Sequence, residues 1–375
     1  MVGCSPNYNS DSYYKLQSTT YNLIYMFYLK YRPRTITELD NSQVRPKITN
    51  LLSAKDFPHA LLFIGPKGMG KTSTARIVAK AVNCLENSFA GKRNSYEPCN
   101  TCTNCKTIEN GSSPDVIEQD AASNRGIEEV RKLIRESSYA PMTGRYRVYI
   151  IDEAHMITPD AFNALLKTLE EPPETVIFIL ATTNEEKLPN TIISRCVRIP
   201  FGRAHKKDII HMLDRIAEKE QVDVPAELKD LIATYSENSF RDAAKMFEEL
   251  IMQDTLSVET AQKYLGVRAK GTLLEIMQTG TLAESIQWID EFIQSGGNVK
   301  RAIEDMLSAL HLLLVSKSTD SKSEIELSYS LREISTLIKL LHEAYNGIRI
   351  SPIEALPLEL AVVEFYNARK KSVSL

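Results

Sequence analysis

The stretch ALLFIGPKGMGKTSTARIVAKAV, residues 60–82, constrains the fold more than any other segment of the chain. An apolar run leads into a loop of the pattern G-x-x-x-x-G-K-T, and the residues after it have the apolar spacing of a helix. Glycines let backbone N–H groups wrap a phosphate, and the N-terminus of the following helix adds its dipole. The segment therefore predicts a strand, a phosphate-binding loop and a helix, and its context argues against a plain glycine-rich turn.

The loop predicts contacts with a nucleoside triphosphate and its metal ion. Lys71 is expected to reach the β- and γ-phosphates, and the Thr72 hydroxyl is expected to ligate Mg²⁺. The predicted cofactor-binding positions of the loop are Gly65, Pro66, Lys67, Gly68, Met69, Gly70, Lys71, Thr72 and Ser73.

Polar residues follow two further apolar runs. RVYIIDEAH carries Asp152, placed to hold Mg²⁺, and Glu153, placed to orient or deprotonate the attacking water. An acidic pair that faces a loop is the alternative interpretation. TVIFILATTN ends in Thr182, Thr183 and Asn184. A polar side chain there can hydrogen-bond the γ-phosphate or the attacking water, although such residues also suit a strand end that begins a turn.

Four of the six cysteines lie in one stretch: Cys84, Cys99, Cys102 and Cys105. Overlapping C-x-x-C steps with a fourth thiol are typical of a tetrahedral Zn²⁺ site, and four protein ligands make the site structural. A disulfide framework does not suit a reducing cytoplasm, and a redox C-x-x-C usually has two thiols in a different context. Cys4 and Cys196 are interpreted as unreactive thiols.

Apolar runs at 115–119 and 196–200 bring the number of predicted strands to five, with helical patterns between them. This alternation predicts a parallel, three-layer α/β nucleotide-binding domain over 28–203, with the zinc module inserted and nucleotide at the carboxyl ends of the strands. Helical patterns then replace strands, which predicts a helical domain over 204–268 and an all-α domain over 269–375.

The N-terminal residues 1–27 are rich in Ser, Asn and Tyr, which predicts a disordered extension, and Met26 is an alternative start to Met1. No basic region precedes an apolar stretch, and the apolar runs fall short of the ~20 residues that cross a bilayer. We therefore expect a cytoplasmic protein with no membrane contact.

The formal net charge is −3, so a nucleic acid would have to meet a local basic surface. The segment ASNRGIEEVRKLIR predicts such a surface, with Ser123, Asn124 and Arg125 at a helix start where N–H groups and charge meet DNA phosphates. A solvated face is the alternative for the cations that follow: Arg131, Lys132 and Arg135.

Several motifs occur in a family-specific order: KYRP, GPKGMGKT, the four cysteines, DAASNRGIEEVR, YIIDEAHMIT, NALLKTLEEPPE, LATTNEEKLPNTIISRC and SFRDA. This order resembles the gamma/tau subunits of the bacterial DNA polymerase III clamp loader over residues 28–270, and more weakly beyond. The resemblance implies an AAA+ ATPase with a helical lid and a helical collar through which subunits assemble. It implies a motor that joins delta, delta-prime and further gamma/tau copies, opens the sliding clamp and loads it on primed DNA.

The resemblance also implies roles for individual residues. Thr183 would be sensor 1, and Arg241 in SFRDA would be sensor 2, reaching the γ-phosphate from the lid. Arg195 would be the arginine finger, directed at ATP in the neighbouring subunit. The four clustered cysteines match the zinc ligands of the family. The adenine pocket would be lined by Tyr31, Arg32 and Pro33.

Two features depart from the family. Its usual Gly-Gln after the adenine segment is Ser42-Gln43 here, and the chain ends at Leu375 without the long extension of tau, as expected of a gamma form. Two other functions are considered. A non-hydrolysing scaffold could lose the loop Lys or the acidic pair, and both are present. A helicase, which DEAH would suggest, needs a second RecA-like domain that the helical C-terminal third does not predict.

Overall fold

A computed structural model describes residues 26–124, 126–253, 256–258, 260–261, 272–294, 297–319 and 327–373. Residues 1–25 of the predicted extension, Cys4, Arg125 and the predicted lid–collar boundary at 268 lie outside these ranges. The chain divides into two compact units between residues 254 and 255. Among the described residues, none of the helices is long and apolar enough to span a membrane.

A five-stranded parallel sheet lies at the centre of the first unit. Its strands are β1 (Ala60–Ile64), β2 (Val116–Asp120), β3 (Arg147–Asp152), β4 (Val176–Thr182) and β5 (Val197–Pro200). Their order is β2-β3-β4-β1-β5, and every neighbouring pair is parallel. The central strands β1, β3 and β4 are nearly continuous apolar runs, because helices cover both faces of a parallel sheet. The predicted fold class is confirmed.

Helices connect these strands and then form the lid. They are α1 (Phe27–Lys30), α2 (Arg45–Leu52), α3 (Lys71–Asn83), α4 (Thr103–Glu109), α5 (Ile127–Ser137), α6 (Pro159–Glu170), α7 (Asn190–Ile193), α8 (Lys206–Glu220), α9 (Ala226–Tyr235) and α10 (Phe240–Met252). Short 3₁₀ turns span Ser88–Ala90, Ala154–Met156 and Glu185–Lys187. The lid helices α8 to α10 follow the sheet within the first unit.

The described part of the second unit is helical. It contains α11 (Thr272–Thr279), α12 (Leu282–Gln294), α13 (Val299–Ser318), α14 (Leu331–Gly347) and α15 (Leu356–Val373). On α13, Ile303 and Leu310 are buried in the core of this unit, and Leu307 and Leu314 pack against it. These four apolar residues, spaced so that they share one face of α13, therefore pack within the second unit.

Candidate nucleotide-binding site

A cavity of about 490 Å³ lies in the first unit, at the carboxyl ends of β2 and β3 and beside the phosphate loop that follows β1. Ligands of open α/β sheets bind at this edge. The wall combines parts of the segment 27–41, residues 67–74, the ends of the two strands and side chains of α8 and α10. Chain segments far apart in sequence therefore share one concave site.

The glycines of the phosphate loop have the backbone that the motif requires. Gly68 and Gly70 have φ values of 77° and 86°, in the left-handed region that side chains with a Cβ rarely adopt. A Cβ at Gly68 would also collide with the Ser239 hydroxyl, just before α10. The loop can therefore turn its N–H groups towards a phosphate only with glycine at these positions, and it lies against the lid.

Lys71 begins α3 and crosses the loop. Its Nζ donates to the carbonyl oxygens of Gly65 at 2.7 Å and Pro66 at 2.8 Å. The side chain is buried, and burial lowers the pKa of Lys71 against the attraction of Glu153 and Asp152. Phosphate oxygens would be stronger, charge-assisted acceptors for this ammonium than the neutral carbonyls are.

The predicted metal-binding pair is formed. The Thr72 hydroxyl donates to Asp152 Oδ2 at 2.6 Å, and both residues line the cavity. Parallel pairing of β2 and β3 sets Asp120 beside Asp152, so a second carboxylate is near the same strand ends. Hydroxyl and carboxylate oxygens are ligands that Mg²⁺ prefers, and these residues fit that ion.

Glu153 is held in a strained conformation next to this pair. Its φ is 47°, and such non-glycine backbone is concentrated at functional sites. Its Oε2 accepts a hydrogen bond from the Thr183 hydroxyl at 3.1 Å and lies 3.5 Å from His155 Nδ1. The same imidazole nitrogen is 3.1 Å from the Thr182 hydroxyl. Thr183, directly after β4, therefore contacts the glutamate that was predicted to activate water, and Thr182 at the end of β4 contacts the neighbouring His155.

Residues of the N-terminal segment connect the cavity wall to the lid. The Tyr31 hydroxyl donates to Glu220 at the end of α8, and the Tyr31 ring packs edge-to-face on Phe27 at 5.3 Å. Arg215 of α8 donates to Asp40 at 2.8 Å, and burial raises the pKa of Asp40 although Arg215 opposes this. The predicted adenine-pocket residues line the cavity: Tyr31, Arg32 and Pro33.

Asn41 adds an unpaired donor to this wall. Its Oδ1 accepts from the backbone N–H groups of Gln43 at 3.1 Å and Val44 at 3.2 Å, which fixes the orientation of the amide. Its Nδ2 is buried with no hydrogen-bond partner among the described residues. By contrast, Ser42 and Gln43 bond to Asp208 and His205 in and before α8, and neither lines the cavity.

Arg241 and Arg195 lie in different surroundings. Arg241 of α10 lines the cavity, with its guanidinium carbon 5.7 Å from the centre of the Tyr28 ring. Arg195 is not on the wall of this cavity. Its Nη1 donates to the Thr191 carbonyl at 2.7 Å, and its Nη2 pairs with Glu170 at the end of α6.

The four clustered cysteines converge. Their Sγ atoms all lie within 4.8 Å of one another. Backbone N–H groups of Cys99, Cys102 and Cys105 donate to cluster sulfurs at 3.3–3.4 Å. Against the effect of burial, hydrogen bonds from Thr101 and Cys102 lower the pKa of Cys99 to about 6. Four sulfur donors of this kind fit zinc. Outside the cluster, burial raises the pKa of Cys196 to about 11, which keeps it a thiol.

The start of α5 differs from the prediction. The N–H groups of Ser123 and Asn124 both donate to the Asp120 carbonyl, at 3.2 and 2.9 Å, and so close a turn at the end of β2. The helix begins later, with Gly126 as its N-cap. Within α5, Arg131 pairs with Glu128 at 2.8 Å, as expected of a solvated face.

Several wall residues were not predicted. Glu118, Gln119 and Asp120 end β2, and the rule for carboxyl ends could have found them. The cavity is also lined by residues that no sequence pattern indicated, because only tertiary packing brings them there: Phe27, Tyr28, Leu39, Met212, Ile216, Phe240 and Ala244.

The parallel sheet, the phosphate loop and the lid define a P-loop protein of the AAA+ class, whose members use a nucleotide and Mg²⁺. A family model described as "DNA polymerase III, delta subunit" matches residues 40–205. The chain is 30% identical to the DNA polymerase III subunit gamma of Buchnera aphidicola subsp. Baizongia pistaciae, over 92% of this chain and 97% of that one. The chain belongs to the family of DNA polymerase III gamma/tau subunits.

Other relatives are longer. The chain is 36% identical to the tau subunit of Bacillus subtilis and 31% identical to the gamma/tau subunit of Mycoplasma genitalium, over 92% and 93% of this chain. It spans 64% and 61% of their lengths. Among solved structures, the Thermotoga maritima RuvB Holliday junction branch migration motor is similar with a TM-score of 0.47 and 16% identity, over 78% of this chain and 86% of that one. That similarity is too low to support a functional conclusion.

Proposed function

We propose that the chain is an ATPase motor subunit of the bacterial replicative clamp loader, which uses ATP to open the sliding clamp and load it on primed DNA. The observation that carries this proposal is the convergence of Lys71, Thr72, Asp152 and Glu153 on one cavity. The relationship to gamma/tau subunits supports the choice of complex. The proposed partners are delta, delta-prime, further gamma/tau copies, the clamp and primed DNA.

Binding of ATP would replace hydrogen bonds that the chain makes with itself. Lys71 would transfer its donors from the loop carbonyls to the β- and γ-phosphates, and the N–H groups of the loop would surround them. Thr72 and Asp152 would hold Mg²⁺, which supplies charge neutralisation at the phosphates. Base and ribose would lie towards Tyr31, Arg32 and Pro33.

The Thr183 hydroxyl connects phosphate recognition to the glutamate. It has one proton to donate, and here that proton goes to Glu153. As sensor 1, Thr183 would donate to the γ-phosphate, which removes a hydrogen bond from Glu153 Oε2 and makes the carboxylate a stronger acceptor for a proton of the attacking water. Arg241 would bring positive charge from the lid, and Arg195 would bring it to the ATP of a neighbouring subunit.

Contact with DNA is proposed for exposed cations of α5 and for Arg125 before it. Phosphate contacts contain no sequence information, which suits a loader that acts at any primer. If Arg125→Ala and Arg135→Ala leave DNA-stimulated ATPase and its dependence on salt unchanged, this surface does not bind DNA.

The test is ATP turnover by the chain with delta and delta-prime, measured with and without sliding clamp and primed DNA. We expect clamp and DNA to stimulate turnover, and Glu153→Gln to bind ATP without turning it over. ATP binding without turnover by the unmodified chain would favour the non-hydrolysing scaffold. Strand separation of a duplex would favour a helicase.

A further inference from the structure

The cysteine module makes hydrogen bonds to the chain segment that forms one wall of the nucleotide cavity. This module, residues 84–109, comprises the four-cysteine cluster and helix α4. The cavity is lined by residues 31–33 and again by 39–41, but not by the turn between them. That turn is bound by Glu97, whose Oε2 accepts from Ile36 N–H at 2.7 Å and whose Oε1 accepts from Thr37 N–H at 2.9 Å. Both carboxylate oxygens therefore hold the backbone that joins the two strips of wall.

Lys80 makes a second connection. It lies on α3, the helix that begins with Lys71, and its side chain is only 1% exposed. Its Nζ donates to the Arg34 carbonyl at 3.0 Å and to two acceptors of the module, Asn100 Oδ1 at 2.9 Å and Glu109 Oε2 at 2.6 Å. An ammonium has three protons, and all three have acceptors here. Removing these partners would leave a buried charge uncompensated, which costs free energy. The ammonium therefore holds together α3, the N-terminal segment at Arg34 and the cysteine module.

The cysteines determine where these acceptors lie. Glu97 is two residues before Cys99, and Asn100 directly follows it with a φ of 58°, in the left-handed region. Cys99 Sγ accepts from the N–H groups of Thr101 at 3.5 Å and Cys102 at 3.3 Å. Zinc on the four sulfurs would offset the entropy of ordering this loop, since binding free energy at such sites is folding free energy.

We propose that the cysteine module positions the base side of the nucleotide cavity, with Glu97 as the positioning residue, so that metal occupancy and ATP affinity are coupled. This inference rests on the proposed nucleotide site and goes beyond it, because it makes the module part of nucleotide binding. The phosphate side does not depend on Glu97, since the phosphate loop and Lys71 lie on other elements. Coupling of two sites is reciprocal, so bound ATP must raise the affinity for zinc by the same factor by which bound zinc raises the affinity for ATP.

The first arm of the test uses the zinc-loaded full chain and two matched variants. Glu97→Gln leaves one oxygen acceptor for two N–H groups. Glu86→Gln is the control, because this partly exposed carboxylate belongs to the same module and pairs at 2.6 Å with Lys92, a residue of the module itself. Binding of ATPγS with Mg²⁺ and of inorganic tripolyphosphate with Mg²⁺ is measured by calorimetry, with zinc content determined in parallel.

We expect Glu97→Gln to weaken ATPγS binding about fivefold or more, the lower end of typical coupling between sites, with tripolyphosphate binding and zinc content unchanged. The control should match the unmodified chain in all three measurements. Equal loss of ATPγS and tripolyphosphate binding would indicate general destabilisation and overturn the inference. Unchanged ATPγS binding would overturn it as well.

The second arm needs no substitution. At equilibrium with a competing chromogenic chelator, the zinc affinity of the unmodified chain should rise about fivefold or more when ATPγS is bound, and tripolyphosphate should raise it less. Equal zinc affinity with and without ATPγS overturns the coupling while leaving the nucleotide site intact. If the unmodified chain binds neither ligand, the proposed function fails together with the inference.

Discussion

Replacing Arg195 by alanine distinguishes a surface ion pair from an arginine finger, because the two roles differ greatly in their free-energy contribution. Its contacts within the chain are Glu170, the Thr191 carbonyl and the Ser194 hydroxyl. The side chains of Arg195 and Glu170 are 32% and 48% exposed, and exposed pairs of this kind contribute about 0–1 kcal/mol. An arginine finger contributes roughly 10³–10⁵ in rate. At about 1.4 kcal/mol per tenfold, this corresponds to roughly 4–7 kcal/mol of the activation barrier.

We therefore expect Arg195→Ala to unfold within about 1 kcal/mol of the unmodified chain, to bind ATP normally, and to lose stimulated hydrolysis. Thermal unfolding, ATPγS binding and steady-state ATPase with partner subunits measure these three properties. Arg198→Ala is the matched control. Arg198 lies three residues after Arg195 and is also an exposed arginine in an ion pair, in this case with Glu185. It should lose neither binding nor turnover.

Mixing two inactive variants then tests whether Arg195 acts across an interface. Arg195→Ala keeps a nucleotide site without the finger, and Lys71→Ala keeps the finger without the site. Where the first variant's ATP faces the second variant's Arg195, one complete site is formed, and part of the ATPase activity should return. Confirmed co-assembly with no recovery would refute action in trans, and turnover by Arg195→Ala alone would refute a catalytic role.

Other substitutions address the remaining parts of the site. Lys71→Ala should abolish ATP binding but preserve assembly, which the resemblance to gamma/tau subunits assigns to the helical second unit. Size-exclusion chromatography with the partner subunits measures assembly. Glu153→Gln should lower kcat about 10²–10⁴-fold with ATP binding retained, as for loss of a general base, and an unchanged kcat would assign that role elsewhere. Cys102→Ser should lower zinc from one per chain and increase amide exchange over residues 84–105. Zinc near zero in unmodified protein purified without chelator would contradict the site.

Local patterns predicted the parts of the site that one segment forms by itself. The phosphate loop needs glycines at fixed positions, and Gly68 and Gly70 have the left-handed backbone that the motif implies. The four sulfurs meet because their spacing permits it. The lid side of the cavity could not be predicted in this way. Met212 and Ile216 reach the wall because α8 docks on the N-terminal segment through Arg215, a contact between distant residues.

The misplaced start of α5 has a local cause. Ser and Asn are frequent both as helix N-caps and in turns, so the residue types around Ser123 suit a helix start and a turn alike. In the structure, the Asp120 side chain accepts a hydrogen bond from the Ala122 N–H at 2.8 Å. The Asp120 backbone carbonyl accepts from the N–H groups of Ser123 and Asn124. An Asp that closes a turn on its own backbone competes with the helix. The helix then begins after Gly126, and Ser123 and Asn124 belong to the turn.

The hydrogen bonds that the candidate site already makes determine how much free energy each new contact with a triphosphate can add to binding. Lys71 bonds to loop carbonyls, Thr72 to Asp152, and Thr183 to Glu153. Each phosphate contact would therefore exchange one hydrogen bond for another, and an exchange of this kind contributes only about 0.5–1.5 kcal/mol between neutral partners. Favourable binding would depend on charge, because phosphate would replace the neutral carbonyls that Lys71 contacts and would enter a cavity that Arg241 also lines. The same exchange would couple phosphate recognition to water activation, because moving the Thr183 proton from Glu153 Oε2 to the γ-phosphate would remove a hydrogen bond from that carboxylate and make it a stronger proton acceptor.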